Sequence, residues 1–126
     1  DATKENGCLQ YIPGSQQWGL LPKPVIAGEL EGIKDFLTAD QEKKFSEPCF
    51  AEVNAGEAIF HHSLTLHGSG ANTSARPRRA FVINVIADAV VSDSDEPLLE
   101  GVPVVRKKKK IQGQFFPLLF DPVTIQ

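Results

Sequence analysis

Methionine is missing from this sequence altogether, and the chain opens on Asp1. A translated chain normally begins with Met, so the expectation is a fragment or an excised domain of a longer protein. Cysteine is scarce. Cys8 and Cys49 cannot make a disulfide framework, and both sit in apolar, strand-like contexts that predict buried free thiols. Charge of one sign is scarce too. A net charge of −3 gives no electrostatic case for a nucleic-acid or membrane partner. No apolar run has the length of a membrane span or a signal peptide, and even Phe115-Phe116-Pro117-Leu118-Leu119-Phe120 is far too short. The expected compartment is therefore cytoplasmic. Asn72-Thr73-Ser74 matches a glycosylation sequon, which carries no meaning in a reducing compartment. Internal repeats and low-complexity linkers are also missing.

What is present suits one small domain. The chain has 126 residues, 41% of them hydrophobic, enough for a single core. Glycines and prolines are spread along it and bound short apolar runs, which predicts a mainly all-β chain. Residues 8–12 read as a strand stopped by Pro13-Gly14, and residues 15–23 as a loop with Trp18 as an anchor. Residues 24–45 are mixed. Within them, 39–44 predict a helical turn with Thr38 as N-cap and Gln41 closing a capping box. Residues 49–53 read as a strand and Asn54-Ala55-Gly56-Glu57 as a turn, after which 58–60 run extended. Residues 79–86 give the clearest strand pattern: Arg79, Phe81, Ile83 and Val85 on one face, Arg78, Ala80, Val82 and Asn84 on the other. The second face is the one that would line a cavity. Residues 92–100 are an acidic loop, 106–110 a basic run on a solvated loop, and 115–120 a packed closing segment.

Chemistry concentrates in one segment. All three histidines, His61, His62 and His67, fall within seven residues of one another. Neutral imidazole is a good ligand for divalent first-row metals. His61 and His62 are adjacent, so in a strand they face opposite ways and cannot easily join His67 at one ion. His67 is followed by Gly68-Ser69-Gly70, which permits close backbone approach, and by Arg78 eleven residues on. A planar guanidinium grips a carboxylate through two hydrogen bonds and keeps its charge when buried. A hydroxyl such as that of Ser69 can complete the grip.

Asp1-Ala2-Thr3, Glu5-Asn6-Gly7-Cys8-Leu9 and Pro13-Gly14-Ser15, followed by Gly56-Glu57 leading to Phe60-His61 and by His67-Gly68-Ser69-Gly70-Ala71-Asn72 and Arg78, resemble the phytanoyl-CoA dioxygenase family. The resemblance covers roughly residues 1–90, and the order of its separated motifs is what makes it specific. It implies the C-terminal part of a double-stranded β-helix, a cupin-like jelly-roll barrel, with residues 1–126 forming that portion of one domain. It also implies an oxygenase that uses Fe(II), 2-oxoglutarate and O2 to hydroxylate an unactivated C–H bond of a small-molecule or acyl substrate. On the family pattern His67 is an iron ligand, and Arg78, helped by Ser69, binds the 2-oxoglutarate carboxylate. No metal role carries over to His61 or His62, although His62 matches a position where the family often has histidine. The face around Ala80, Val82 and Asn84 would meet substrate.

The chain departs from the family in three ways. The family's other two ligands form a His-x-Asp motif upstream of the region that Asp1 begins, and no His-x-Asp or His-x-Glu occurs here. Glu57 stands where Asp is more usual. The region after about Ser92 fits the pattern poorly. The 126 residues alone are therefore expected to be inactive and the longer parent to be an enzyme. A non-catalytic jelly-roll module, or a member that has lost its metal, is the alternative. A structural zinc site fails on ligand count, because tetrahedral zinc wants four donors.

Overall fold

Two glycines in the left-handed region bracket the first strand, Gly7 at φ 79° and Gly14 at φ 84°. Residues with a Cβ avoid that region, so both turns depend on residue type. Between them runs β1, Leu9–Tyr11, one residue shorter at each end than the pattern predicts. The structure is a computed structural model that describes residues 1–21 and 31–121. After β1 come a 3-10 turn at Ser15–Trp18, α1 (Glu31–Lys34), α2 (Ala39–Phe45), β2 (Cys49–Ala51) and β3 (His67–Ser69). The 3-10 turn replaces the first part of the predicted loop, with Trp18 half-buried in it. Pro22 and Lys23 of the predicted loop and residues 24–30 of the predicted mixed stretch lie outside the described residues.

The strands make one antiparallel sheet in the order β2-β1-β3. Leu9 pairs with Ala51 and Ser69, and Tyr11 pairs with Cys49 and His67. A β-rich chain with little helix was expected, and at that level the expectation holds. Because side chains alternate across a strand, the register divides the sheet into two faces. Cys8 and Ile12 are buried together with Ile33, and Gln10, Ile12, Ile33, Phe45, Pro48 and Leu66 line a cleft on that side. The other face carries Leu9, Tyr11, Cys49, His67 and Ser69.

The second helix forms as its sequence predicts. The Thr38 side chain accepts from the Gln41 backbone N–H at 3.3 Å, and the Gln41 side chain accepts from the Thr38 N–H at 2.8 Å. The turn at 54–57 is also present. Gly56 sits at φ 91°, and the Glu57 carboxylate accepts from the Asn54 N–H at 2.7 Å and from its Nδ2 at 3.3 Å. These bonds hold the Glu57 carboxyl below its usual range.

The chain divides into two compact units, Asp1–Ala80 and Phe81–Gln126. Among its described residues the second is built from loops and isolated bridges, Val91 to Lys110 and Gly113 to Phe116. The basic run is exposed, as expected, but it pairs with the acidic loop. Lys107 Nζ lies 3.7 Å from Asp93 and its backbone N–H donates to Asp95 at 2.9 Å, while Lys110 Nζ meets Asp88, ahead of that loop, at 2.7 Å. Exposed pairs of this kind contribute about 0–1 kcal/mol each. Among the described residues no helix is long and apolar enough to cross a membrane.

Three packing expectations are corrected. Residues 79–86 form no ladder. Phe81 is 90% exposed, and Ala80, Val82 and Asn84 are exposed as well, so they line no cavity. Alternation selects a face, but a strand also needs a hydrogen-bonding neighbour, and none of the described residues supplies one. The segment 115–120 is likewise open: Leu118, Leu119 and Phe120 are all more than half exposed. Finally, Cys8 is a buried free thiol but Cys49 is exposed. β2 is an edge strand, and its register turns Cys49 to the uncovered face.

Two outcomes test this description. Thr38→Ala should lower the stability of the chain by about 1 kcal/mol, read from urea unfolding, because one cap is lost. Glu57 has a depressed folded pKa, so its contribution is present above the unfolded value of 4.5 and disappears as pH falls through the lower folded value. NMR titration of the Glu57 carboxyl should give a midpoint below 4.5, and Asn54→Ala should move it upward.

Candidate functional site

The two halves of the sequence pattern are stitched together by backbone contacts. Ser15 is buried, and its hydroxyl donates to the Ile12 carbonyl at 2.7 Å while accepting from the Leu66 N–H at 2.8 Å. The Ile12 N–H in turn donates to the Leu66 carbonyl at 3.0 Å. Leu66 precedes His67, so the Pro13-Gly14-Ser15 turn fixes where β3 begins. At the other end of the sheet the Thr73 N–H and hydroxyl both donate to the Glu5 carbonyl, at 2.8 and 3.0 Å. A Cβ on Gly7 would lie 2.7 Å from the Gly70 carbonyl oxygen, closer than any real Cβ contact. The Asn6-Gly7 turn thus fits against the loop that leaves β3.

Asn6 explains the shape of that turn. It is 4% exposed; its Oδ1 accepts from the Thr3 N–H at 2.8 Å, and its Nδ2 donates to the Asp1 carbonyl at 3.0 Å. Asp1 reaches the 54–57 turn, accepting from the Ala55 N–H at 2.8 Å. Ala2 and Val53 exchange both backbone bonds, at 2.7 and 3.0 Å.

His67 stands on the uncovered face of β3 and is exposed. Its Nδ1 lies 2.8 Å from the Thr65 carbonyl oxygen. A carbonyl can only accept, so Nδ1 is the donor in this contact. A backbone acceptor of this kind fixes the orientation of the imidazole ring. Ser69 is on the same face, one pleat along, exposed and opposite Leu9. Arg78 is half-buried, and among the described residues no hydrogen bond or ion pair engages it. It does not stand on a strand face, so the argument from small neighbours fails, yet a partly desolvated cation without a counter-charge still suits an anionic ligand.

The remaining histidines separate. The rings of His61 and His67 lie 4.6 Å apart between centroids, and Tyr11 is 5.1 Å from His61 and 5.8 Å from His67. His61 Nδ1 is 3.2 Å from the His62 carbonyl, whereas His62 Nδ1 accepts from the Leu64 N–H at 3.1 Å. Among the described residues no three His, Cys, Asp or Glu side chains gather as a metal-binding group. Sequence reasoning overlooked Tyr11. Its signal was its place in an alternating run next to Pro13, but only the strand register shows that it faces His67.

The fit extends to known proteins. The sequence profile described as phytanoyl-CoA dioxygenase (PhyH) matches residues 1–80. The chain is similar to a probable phytanoyl-CoA dioxygenase of Caenorhabditis elegans, 30% identical over 114 residues, which is 85% of this chain and 36% of that protein. It is 34% identical over 89 residues to a phytanoyl-CoA dioxygenase domain-containing protein 1 of Danio rerio, covering 68% of this chain and 30% of that one. It is 36% identical over 86 residues to phytanoyl-CoA dioxygenase 1 of Oryza sativa, again 68% against 30%. The chain spans about a third of the length of such relatives. No solved structure matches it.

Two substitutions test the stitching. Ser15→Ala leaves the Leu66 N–H without its acceptor and should cost about 1–3 kcal/mol in urea unfolding. Gly7→Ala combines a left-handed backbone with the contact to Gly70 and should cost about 2 kcal/mol or more. Far-UV circular dichroism during denaturant titration reads both.

Proposed function

Because this chain belongs to the phytanoyl-CoA dioxygenase family, we propose that it forms part of an Fe(II)- and 2-oxoglutarate-dependent oxygenase acting on a small-molecule or acyl substrate. The observation that carries the proposal is His67, an exposed residue of β3 whose ring is oriented by the Thr65 carbonyl. His67 is the residue here that would hold the metal. Two further ligands would come from elsewhere in a longer protein whose jelly-roll barrel includes this sheet. Iron with its cosubstrate and oxygen supplies the oxidation of an unactivated C–H bond.

This chain's own residues have narrower tasks. Arg78 holds the distal carboxylate of 2-oxoglutarate by charge and paired hydrogen bonds. Ser69 donates its hydroxyl to the same carboxylate. The Thr65 carbonyl keeps the proton on Nδ1 of His67 and so keeps Nε2 available as a donor. Glycines 68 and 70 leave room for ligand beside the backbone, since a Cβ on either would meet nothing within 4 Å.

The test uses the full-length protein under anaerobic conditions, with Fe(II) and 2-oxoglutarate added. The wild type should develop a weak visible charge-transfer band. Arg78→Ala should need about 100-fold more 2-oxoglutarate to reach it, as expected for a charge-assisted bidentate contact. His67→Ala should abolish the band. A folded wild type without any band would instead support a jelly roll kept for binding.

A further inference from the structure

The Tyr11 hydroxyl is sealed from solvent and has no hydrogen-bond partner among the described residues. Buried hydroxyls nearly always find partners, and an orphan one asks for an explanation. Its position supplies one. Tyr11 is opposite His67 in the ladder, and Leu9 is opposite Ser69. The strands are antiparallel, so one direction along the sheet from the Tyr11–His67 pair leads to Ser69. The opposite direction leads to Pro13 on one strand and Thr65 on the other. A cleft opens on that side, lined by Tyr11, Pro13, Gln16, Ile59, Phe60 and His61 among others. Its walls combine apolar side chains with polar ones, Gln16, His61, His62 and Thr65, while the hydroxyl of Tyr11 itself is closed to solvent.

We infer that this cleft is the substrate subsite of the proposed oxygenase and that Tyr11 is a specificity-determining residue in it, donating a hydrogen bond to a hydroxyl or carbonyl oxygen of a largely apolar substrate. The inference rests on the reading of His67 and Ser69 given above, which assigns the Ser69 end to the cosubstrate and leaves the Tyr11 end to the substrate. Phe60, which is 95% exposed, supplies apolar surface with nothing else to cover it. The exposed His61 ring packs against both Tyr11 and His67. A ligand reaching the Tyr11 hydroxyl turns that ring aside and replaces its contacts.

The probe is 1-octanol, neutral and therefore unable to take the place of 2-oxoglutarate at Arg78. Its binding to the full-length protein is followed by ligand-observed NMR, anaerobically, with and without Fe(II) and 2-oxoglutarate. Tyr11→Phe should weaken 1-octanol about tenfold, the value of one ordinary hydrogen bond. The same variant should keep the charge-transfer band and melt no lower than the wild type, because it removes an unpaired buried hydroxyl. Phe60→Ala, at an exposed position that cannot disturb folding, should also weaken the probe. No binding of 1-octanol, equal binding by wild type and Tyr11→Phe, or a lower melting temperature for Tyr11→Phe would each overturn the inference. Loss of the charge-transfer band in the wild type would overturn the oxygenase reading instead, and the two failures are read on separate signals.

Discussion

A single hydroxyl sets the geometry on which the site depends. Ser15 Oγ closes the turn after β1 and receives the N–H of Leu66, the residue before His67. Together with the bond from the Ile12 N–H to the Leu66 carbonyl, that contact fixes where β3 starts against β1. A slip of one residue in a strand exchanges its two faces, and His67 would then turn toward Ile12 and the helices. Gly7 fixes the opposite end through its close approach to Gly70. Two turns, separated by a three-residue strand, therefore hold both ends of the segment that carries the chemistry.

This explains why the pattern at 5–15 and the pattern at 67–72 occur together. Neither is a ligand set by itself. The first is the clamp and the second is what it clamps. Asn6 satisfies buried backbone groups, Gly7 and Gly14 take conformations that other residues avoid, and Ser15 bridges the strands. The resulting sheet separates a buried side from the side that carries the candidate residues. Cys8, Ile12 and Ile33 are buried on one side, and Tyr11, His67 and Ser69 stand on the other.

Local chemistry was legible in the sequence wherever a few adjacent residues decide it. The capping box at Thr38 and Gln41, the turn at Asn54-Ala55-Gly56-Glu57 and the stop at Pro13-Gly14 each form where they were expected. Burial was less legible because it depends on what covers a residue. The alternation from Arg79 to Ile86 is real, yet no strand among the described residues pairs with it. The apolar stretch at 115–120 and the thiol of Cys49 are open for the same kind of reason. Tyr11 was missed because its importance comes from cross-strand register, which leaves no mark in a single strand.

The bond from His67 Nδ1 to the Thr65 carbonyl is a contact between near neighbours, made without help from any distant part of the chain. The imidazole is consequently oriented by its own segment of chain. Rotational freedom of that ring is lost when the segment folds, not when a ligand binds. In the oxygenase proposed above, a ligand oriented this way would gain and release its ion without reshaping the strand beneath it. Exchange of metal there would then be a question of rates at one ring, separate from the stability of the sheet.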